Sequence, residues 1–158
     1  MGNKSWKLPR TKVCLCLLYL DGVTCVNYDP EGKKLVSCSI DLCIKVWNAE
    51  KSYQCISTFY GHEHTVSYVS FILGDSYILS SSRDFKIKLW DSQNGSVKRE
   101  FLGHTGWVRK LAITKDYIHF VSCSGDQIIN VWMLEKEKPI FSFKISGDVI
   151  ENVAIIEK

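Results

Sequence analysis

Between residues 66 and 102 the chain alternates apolar residues with small or polar ones in four short runs, 66–71, 77–81, 87–90 and 97–102. Turn-forming residues separate them: Gly74-Asp75-Ser76, Arg83-Asp84 and Gln93-Asn94-Gly95. A period of two sends successive side chains to opposite faces of a pleated strand. Punctuation this tight joins such strands into an antiparallel meander. Asp29-Pro30-Glu31-Gly32 and Gly147-Asp148 mark equivalent places elsewhere, and no segment sustains a helical period. The pattern predicts an all-β chain.

The pattern also recurs. His62, Ser80, Asp84 and Trp90 are followed by His104, Ser122, Asp126 and Trp132, with gaps of 18, 4 and 6 residues both times. A third copy, Ser37, Asp41 and Trp47, has Tyr19 where the others have histidine. A register held at 42–43 residues means that one structural unit is repeated.

Units of about 42 residues that open on Gly61-His62 or Gly103-His104 and close on Trp90-Asp91 resemble the WD repeats of β-propellers. Trp47-Asn48 and Trp132-Met133 are weaker closings. The resemblance implies a partial propeller of three four-stranded blades, 21–60, 61–102 and 103–144, with incomplete strands at both ends. Residues 1–20 read as a basic segment containing the remnant of a preceding blade, since Trp6 precedes Tyr19 by about the usual Trp-to-His interval. Residues 145–158 read as the first strand of a further blade, because 149–155 aligns with 107–113 and Ser146 takes the His position. Propellers close with about four to eight blades. The missing blades are therefore expected from a longer chain or from another copy, and a truncated, non-functional fragment is the rival reading.

Serine, histidine and aspartate at regular spacing invite a hydrolase reading with Ser80 as nucleophile and His62 as base. An enzyme needs one nucleophile, not one per repeat, and no G-x-S-x-G elbow accompanies these serines. In WD-repeat proteins the resemblance implies instead a structural hydrogen-bonded chain from Trp through Ser and His to Asp. No catalytic residue is expected. Tyr19 and Ser146 should break that chain in the outer units.

Within this class the sequence is similar to the lissencephaly family over roughly residues 21–134. The likeness rests on Ser37-Cys38-Ser39, Ile44-Lys45-Val46-Trp47, Gly61-His62-Glu63-His64-Thr65-Val66-Ser67, Ser82-Arg83-Asp84, Trp107-Val108-Arg109 and Ser122-Cys123-Ser124. The resemblance implies a non-enzymatic regulator of cytoplasmic dynein and microtubule-based transport, located in the cytoplasm at the cytoskeleton. Its implied protein partners are the dynein motor domain or the catalytic subunits of platelet-activating-factor acetylhydrolase. The family's dynein-contacting basic residues fall on Arg83 and Arg109, and Trp107 beside them is a candidate aromatic anchor. A generic WD-repeat adaptor, in a ubiquitin ligase or an RNA-processing complex, is the alternative.

Composition narrows the picture. The chain of 158 residues is 46 % hydrophobic and 12 % aromatic, enough for a packed core. Of its net charge of +3, Lys4, Lys7, Arg10 and Lys12 carry +4 with no acid before residue 21, leaving the rest at −1. No basic stripe points to nucleic acid. The longest apolar run, 13–20, is too short to cross a bilayer, and no small-x-small cleavage site follows it. The seven cysteines form no C-x-x-C pair, so neither metal nor cofactor is expected. Cys14 and Cys16 alternate along an apparent strand, and Cys38 and Cys123 share a repeat position held by Ser81 in the middle unit. That pattern fits small buried side chains, reduced in an intracellular setting.

Overall fold

The computed structural model describes residues 19–156 and carries three four-stranded antiparallel sheets with no helix among those residues. The first sheet runs β1 (Val23–Tyr28), β2 (Lys34–Ser39), β3 (Ile44–Asn48), β4 (Gln54–Phe59). The second runs β5 (Val66–Ile72), β6 (Tyr77–Ser82), β7 (Ile87–Asp91), β8 (Val97–Phe101). The third runs β9 (Val108–Ile113), β10 (His119–Ser124), β11 (Ile128–Met133), β12 (Phe141–Lys144). Each sheet is a meander in which sequence neighbours are also spatial neighbours. The first strand of each blade packs on the first two strands of the blade before it: β5 on β1 and β2, β9 on β5 and β6.

The alternation explains this stacking, because each blade has two apolar faces and buries both only between two neighbours. Val36, Ile44, Val46 and Phe59 of the first blade meet Val66, Val69, Phe71 and Trp90 of the second. Ile87, Leu89 and Phe101 of the second meet Leu111, Phe120 and Trp132 of the third. Equivalent positions at the two ends lack such cover. Phe59 and Phe101 are buried, whereas Phe143, in the same register beside Ile129, is 55 % exposed. Val69 and Phe71 are buried, whereas Val26 and Tyr28 are 40 % and 51 % exposed.

The hairpin between the second and third strand of every blade bends the same way. Leu42, Phe85 and Gln127 each adopt a left-handed φ of 65–73°, immediately after Asp41, Asp84 and Asp126. An L-residue there costs roughly 1–2 kcal/mol. The preceding aspartate compensates by accepting the backbone N–H two residues on, from Cys43, Lys86 or Ile128.

Of residues 145–158, expected as the first strand of a further blade, the described ones, 145–156, form no strand. A first strand is registered by the second strand of its own meander, which these residues do not include. The expected blade remnant in 1–20 and the Cys14/Cys16 alternation fall, up to residue 18, outside the described residues.

The contrast between equivalent positions yields a direct test. Phe101→Ala opens a cavity between two blades and should lower unfolding free energy by about 3–5 kcal/mol in urea titration. Phe143→Ala should cost less than about 1 kcal/mol. Equal losses would contradict blade-on-blade burial.

Candidate functional site

Each blade contains a buried relay built from its entry loop, its second and third strands and the hairpin between them. In the second blade the Trp90 indole Nε1–H donates to Ser80 Oγ at 2.7 Å, and Ser80 Oγ lies 2.7 Å from His62 Nε2. His62 Nδ1 lies 2.7 Å from Asp84 Oδ2. Because ionised Asp84 can only accept, Nδ1 carries the proton and Nε2 accepts from the serine hydroxyl. Every donor thus has an acceptor. The third blade repeats this with Trp132, Ser122, His104 and Asp126 at 2.6–2.9 Å. The aspartates also accept from the residue after the histidine, Glu63 N at 3.0 Å and Thr105 N at 2.9 Å.

The first blade differs from expectation in an informative way. Trp47 Nε1–H donates to Ser37 Oγ at 2.7 Å, and the Tyr19 hydroxyl bonds the same oxygen at 2.6 Å. Tyrosine therefore completes the tryptophan–serine half of the relay and covers Trp47. It does not reach Asp41, which accepts instead from Leu20 N at 2.8 Å. The chain is divided in two, and both halves remain satisfied.

The relay has the atoms of a hydrolytic triad but the access of a core. Ser37, Ser80 and Ser122 are wholly buried, and each hydroxyl oxygen is already engaged by an indole. An oxygen sealed in this way is closed to solvent, and the bonds it makes join the strands and loops of its blade. Burial alone would raise the Asp84 carboxyl pKa, yet the hydrogen bond from His62, with those from the Glu63 and Lys86 N–H groups, holds it down at about 2. Burial pushes the His104 imidazole below its ordinary value against the opposing pull of Asp126.

A third polar pair per blade was not legible in the sequence. The equivalent positions Lys45, Lys88 and Asn130 are buried, facing Thr58 at 3.1 Å, Glu100 at 2.5 Å and Ser142 at 2.6 Å on the outer strand. The Lys-x-Trp alternation shows a polar residue, but the partner lies a strand away. Asn130 additionally touches the His104 ring at 3.3–3.4 Å.

The three residues expected to bind a partner converge on one groove. Arg83 lies over the Trp107 ring at 4.7 Å and Arg109 at 5.9 Å from its centroid. They line a groove of about 180 Å³ with Thr24, Thr65, Ser67 and Glu151. Trp107 is 42 % exposed. Arg109 Nη1 pairs with Glu151 at 3.0 Å, a partner 42 residues away that no motif marks.

The groove owes its form to a repeated irregularity. The register between first and second strands skips one residue between Val23 and Cys25, between Val66 and Tyr68, and between Val108 and Lys110. The extra residues are Thr24, Ser67 and Arg109, all three of which line the groove. A β-bulge re-aims the side chain it carries, so one bulge per blade supplies one lining residue.

Comparison with known proteins agrees with this architecture. The family model for the WD domain, G-beta repeat, matches residues 14–48, 53–91 and 95–133. The matched repeats are out of phase with the blades, since the second begins at β4 and ends at β7. Among curated proteins, nuclear distribution protein nudF 1 of Talaromyces marneffei is 45 % identical over 85 residues, covering 54 % of this chain and 18 % of that protein. Nuclear distribution protein PAC1 of Candida albicans is 44 % identical over 97 residues, 59 % of this chain and 20 % of that protein. PAC1 of Arthroderma benhamiae is 38 % identical over 116 residues, 68 % and 25 %. The chain thus spans about a fifth to a quarter of the length of these relatives, and the similarity to the lissencephaly family read from its motifs accords with them.

The relay predicts an acid limb. Asp84 has a depressed folded pKa, so its stabilisation is complete above about pH 4 and disappears as pH falls towards 2, a loss of about 2 kcal/mol. His104 adds an earlier loss that begins as pH falls below its unfolded pKa of about 6.5, because the unfolded chain takes up the proton first. Urea titrations across pH 7 to 2 should show both. Asp84→Asn should be weaker at pH 7 by roughly 1–3 kcal/mol and flatter below pH 4; an unchanged acid limb would remove Asp84 from the relay.

Proposed function

The chain belongs to the WD domain, G-beta repeat family, and on that premise we propose that it is a non-enzymatic binding module of lissencephaly type. In this reading it acts in dynein- and microtubule-based transport, in the cytoplasm at the cytoskeleton. The similarity to nuclear distribution proteins supports the pathway. The observation that carries the site is the Trp107 ring flanked by two guanidinium groups on a groove built from all three blades. Tryptophan and arginine are enriched among the few residues that carry most of an interface's binding energy.

Arg83 contributes a cation held in place by the indole, and Arg109 one held by Glu151. Such pre-ordering lowers the entropy lost when a partner's carboxylates arrive. An acidic surface on the dynein motor domain is the fitting counterpart. The catalytic subunits of platelet-activating-factor acetylhydrolase are the other partner the family offers.

The double variant Arg83→Glu/Arg109→Glu should weaken capture of the dynein motor domain by at least about thirtyfold, equivalent to ~2 kcal/mol, with an unchanged circular-dichroism spectrum. Unchanged affinity would take both arginines out of the site. Recovery of ligase or spliceosome subunits from cytosol without dynein would reject the assignment.

A further inference from the structure

We propose that Cys25 and Cys38 are a built thiol pair that closes into a cross-strand disulfide on meeting a small-molecule disulfide such as oxidised glutathione. Of the five described cysteines, all free, only these two are register partners: Cys25 on β1 faces Cys38 on β2. Directly opposed residues of an antiparallel ladder have Cα atoms roughly 4.5–5.5 Å apart. That interval lies inside the roughly 4.4–6.8 Å that disulfides span. Opposed residues also point to the same face, so the bond forms without moving a strand. The equivalent positions of the other blades, Tyr68 facing Ser81 and Lys110 facing Cys123, carry no such pair.

The two thiols are unequal, and the inequality sets their order of reaction. Cys25 is partly exposed, while Cys38 is wholly buried. The Cys38 thiol hydrogen-bonds Cys25 and lowers its pKa against the opposing effect of burial, and the Lys110 ammonium lowers it further. Asn27 Nδ2–H also approaches the Cys25 sulfur at 3.7 Å. Burial pushes Cys38 well up. Attack requires a thiolate and access, so Cys25 reacts first and Cys38 resolves.

The Cys25 thiolate attacks one sulfur of oxidised glutathione, whose S–S bond breaks and releases one glutathione thiolate. Cys38 then gives up its proton and attacks Cys25 Sγ, breaking the mixed disulfide and releasing the second glutathione. Two protein thiols are oxidised, one glutathione disulfide is reduced to two thiols, and the two cysteine protons end on the released glutathiones. The bond forms directly behind the groove, because Thr24, one of its lining residues, bonds both Cys38 Sγ at 3.2 Å and Val66 O at 2.5 Å.

The test exposes the full chain to oxidised glutathione, blocks residual thiols, and digests with an Asp-specific protease. Cleavage before Asp21, Asp29 and Asp41 leaves Cys25 in residues 21–28 and Cys38 in residues 29–40, away from Cys14 and Cys16. The expected result is a covalent link between those two peptides that reductant reverses, with loss of both free thiols. Cys38→Ser is tolerated in the fold, since serine already holds the equivalent position as Ser81, and should trap glutathione on Cys25. A wild-type chain that keeps glutathione on Cys25, or leaves Cys25 free, overturns the proposal.

Discussion

A serine hydroxyl held between an indole N–H and a second ring, an imidazole in two blades and the Tyr19 phenol in the first, is the constraint on which each blade depends. Ser80 ties β7 to β6 through Trp90, and His62 ties both to the loop that enters β5. Asp84 then fixes the hairpin between β6 and β7 and that same loop. Each bond contributes only about 1 kcal/mol net, but the groups are buried, so a lost partner strands another at roughly 1–3 kcal/mol. The relay is therefore held as a unit.

The relay also makes the hairpins possible. Phe85 and Gln127 sit in a left-handed conformation that β-rich sequences avoid, and the strain is offset by the aspartate accepting one backbone N–H beside them and one from the entry loop. Asp41 does the same for Leu42 with Leu20 N and Cys43 N, although Tyr19 has replaced the histidine. The carboxylate is thus kept for its backbone duty even where its imidazole partner is gone. Tyrosine at that place preserves the serine contact and packs against Trp47.

Regularity of the blades and irregularity of their first strands divide the work. The ladders stack, and the bulges at Thr24, Ser67 and Arg109 turn one side chain per blade towards a shared groove. Arg83 approaches the same groove from a hairpin and Trp107 from an entry loop. A surface built by several blades requires them to be docked, so the groove exists only through blade packing and not within any single repeat.

The sequence by itself determined the repeat, the all-β class and the identity of the relay residues, because period-two alternation and a fixed 42–43-residue spacing are local, one-dimensional signals. It also marked Arg83, Trp107 and Arg109, though by resemblance and not by their geometry. Only the tertiary structure decided that those three meet, that Arg109 rides on a bulge facing Glu151, that Lys88 finds Glu100, and that Cys25 faces Cys38. Tyr19 shows the same division: its residue type predicts a break, while the reach of a phenol to Ser37 depends on how the entry loop lies across β2. Contacts between strands and blades join residues far apart in the chain, and a local period does not say which of them will meet.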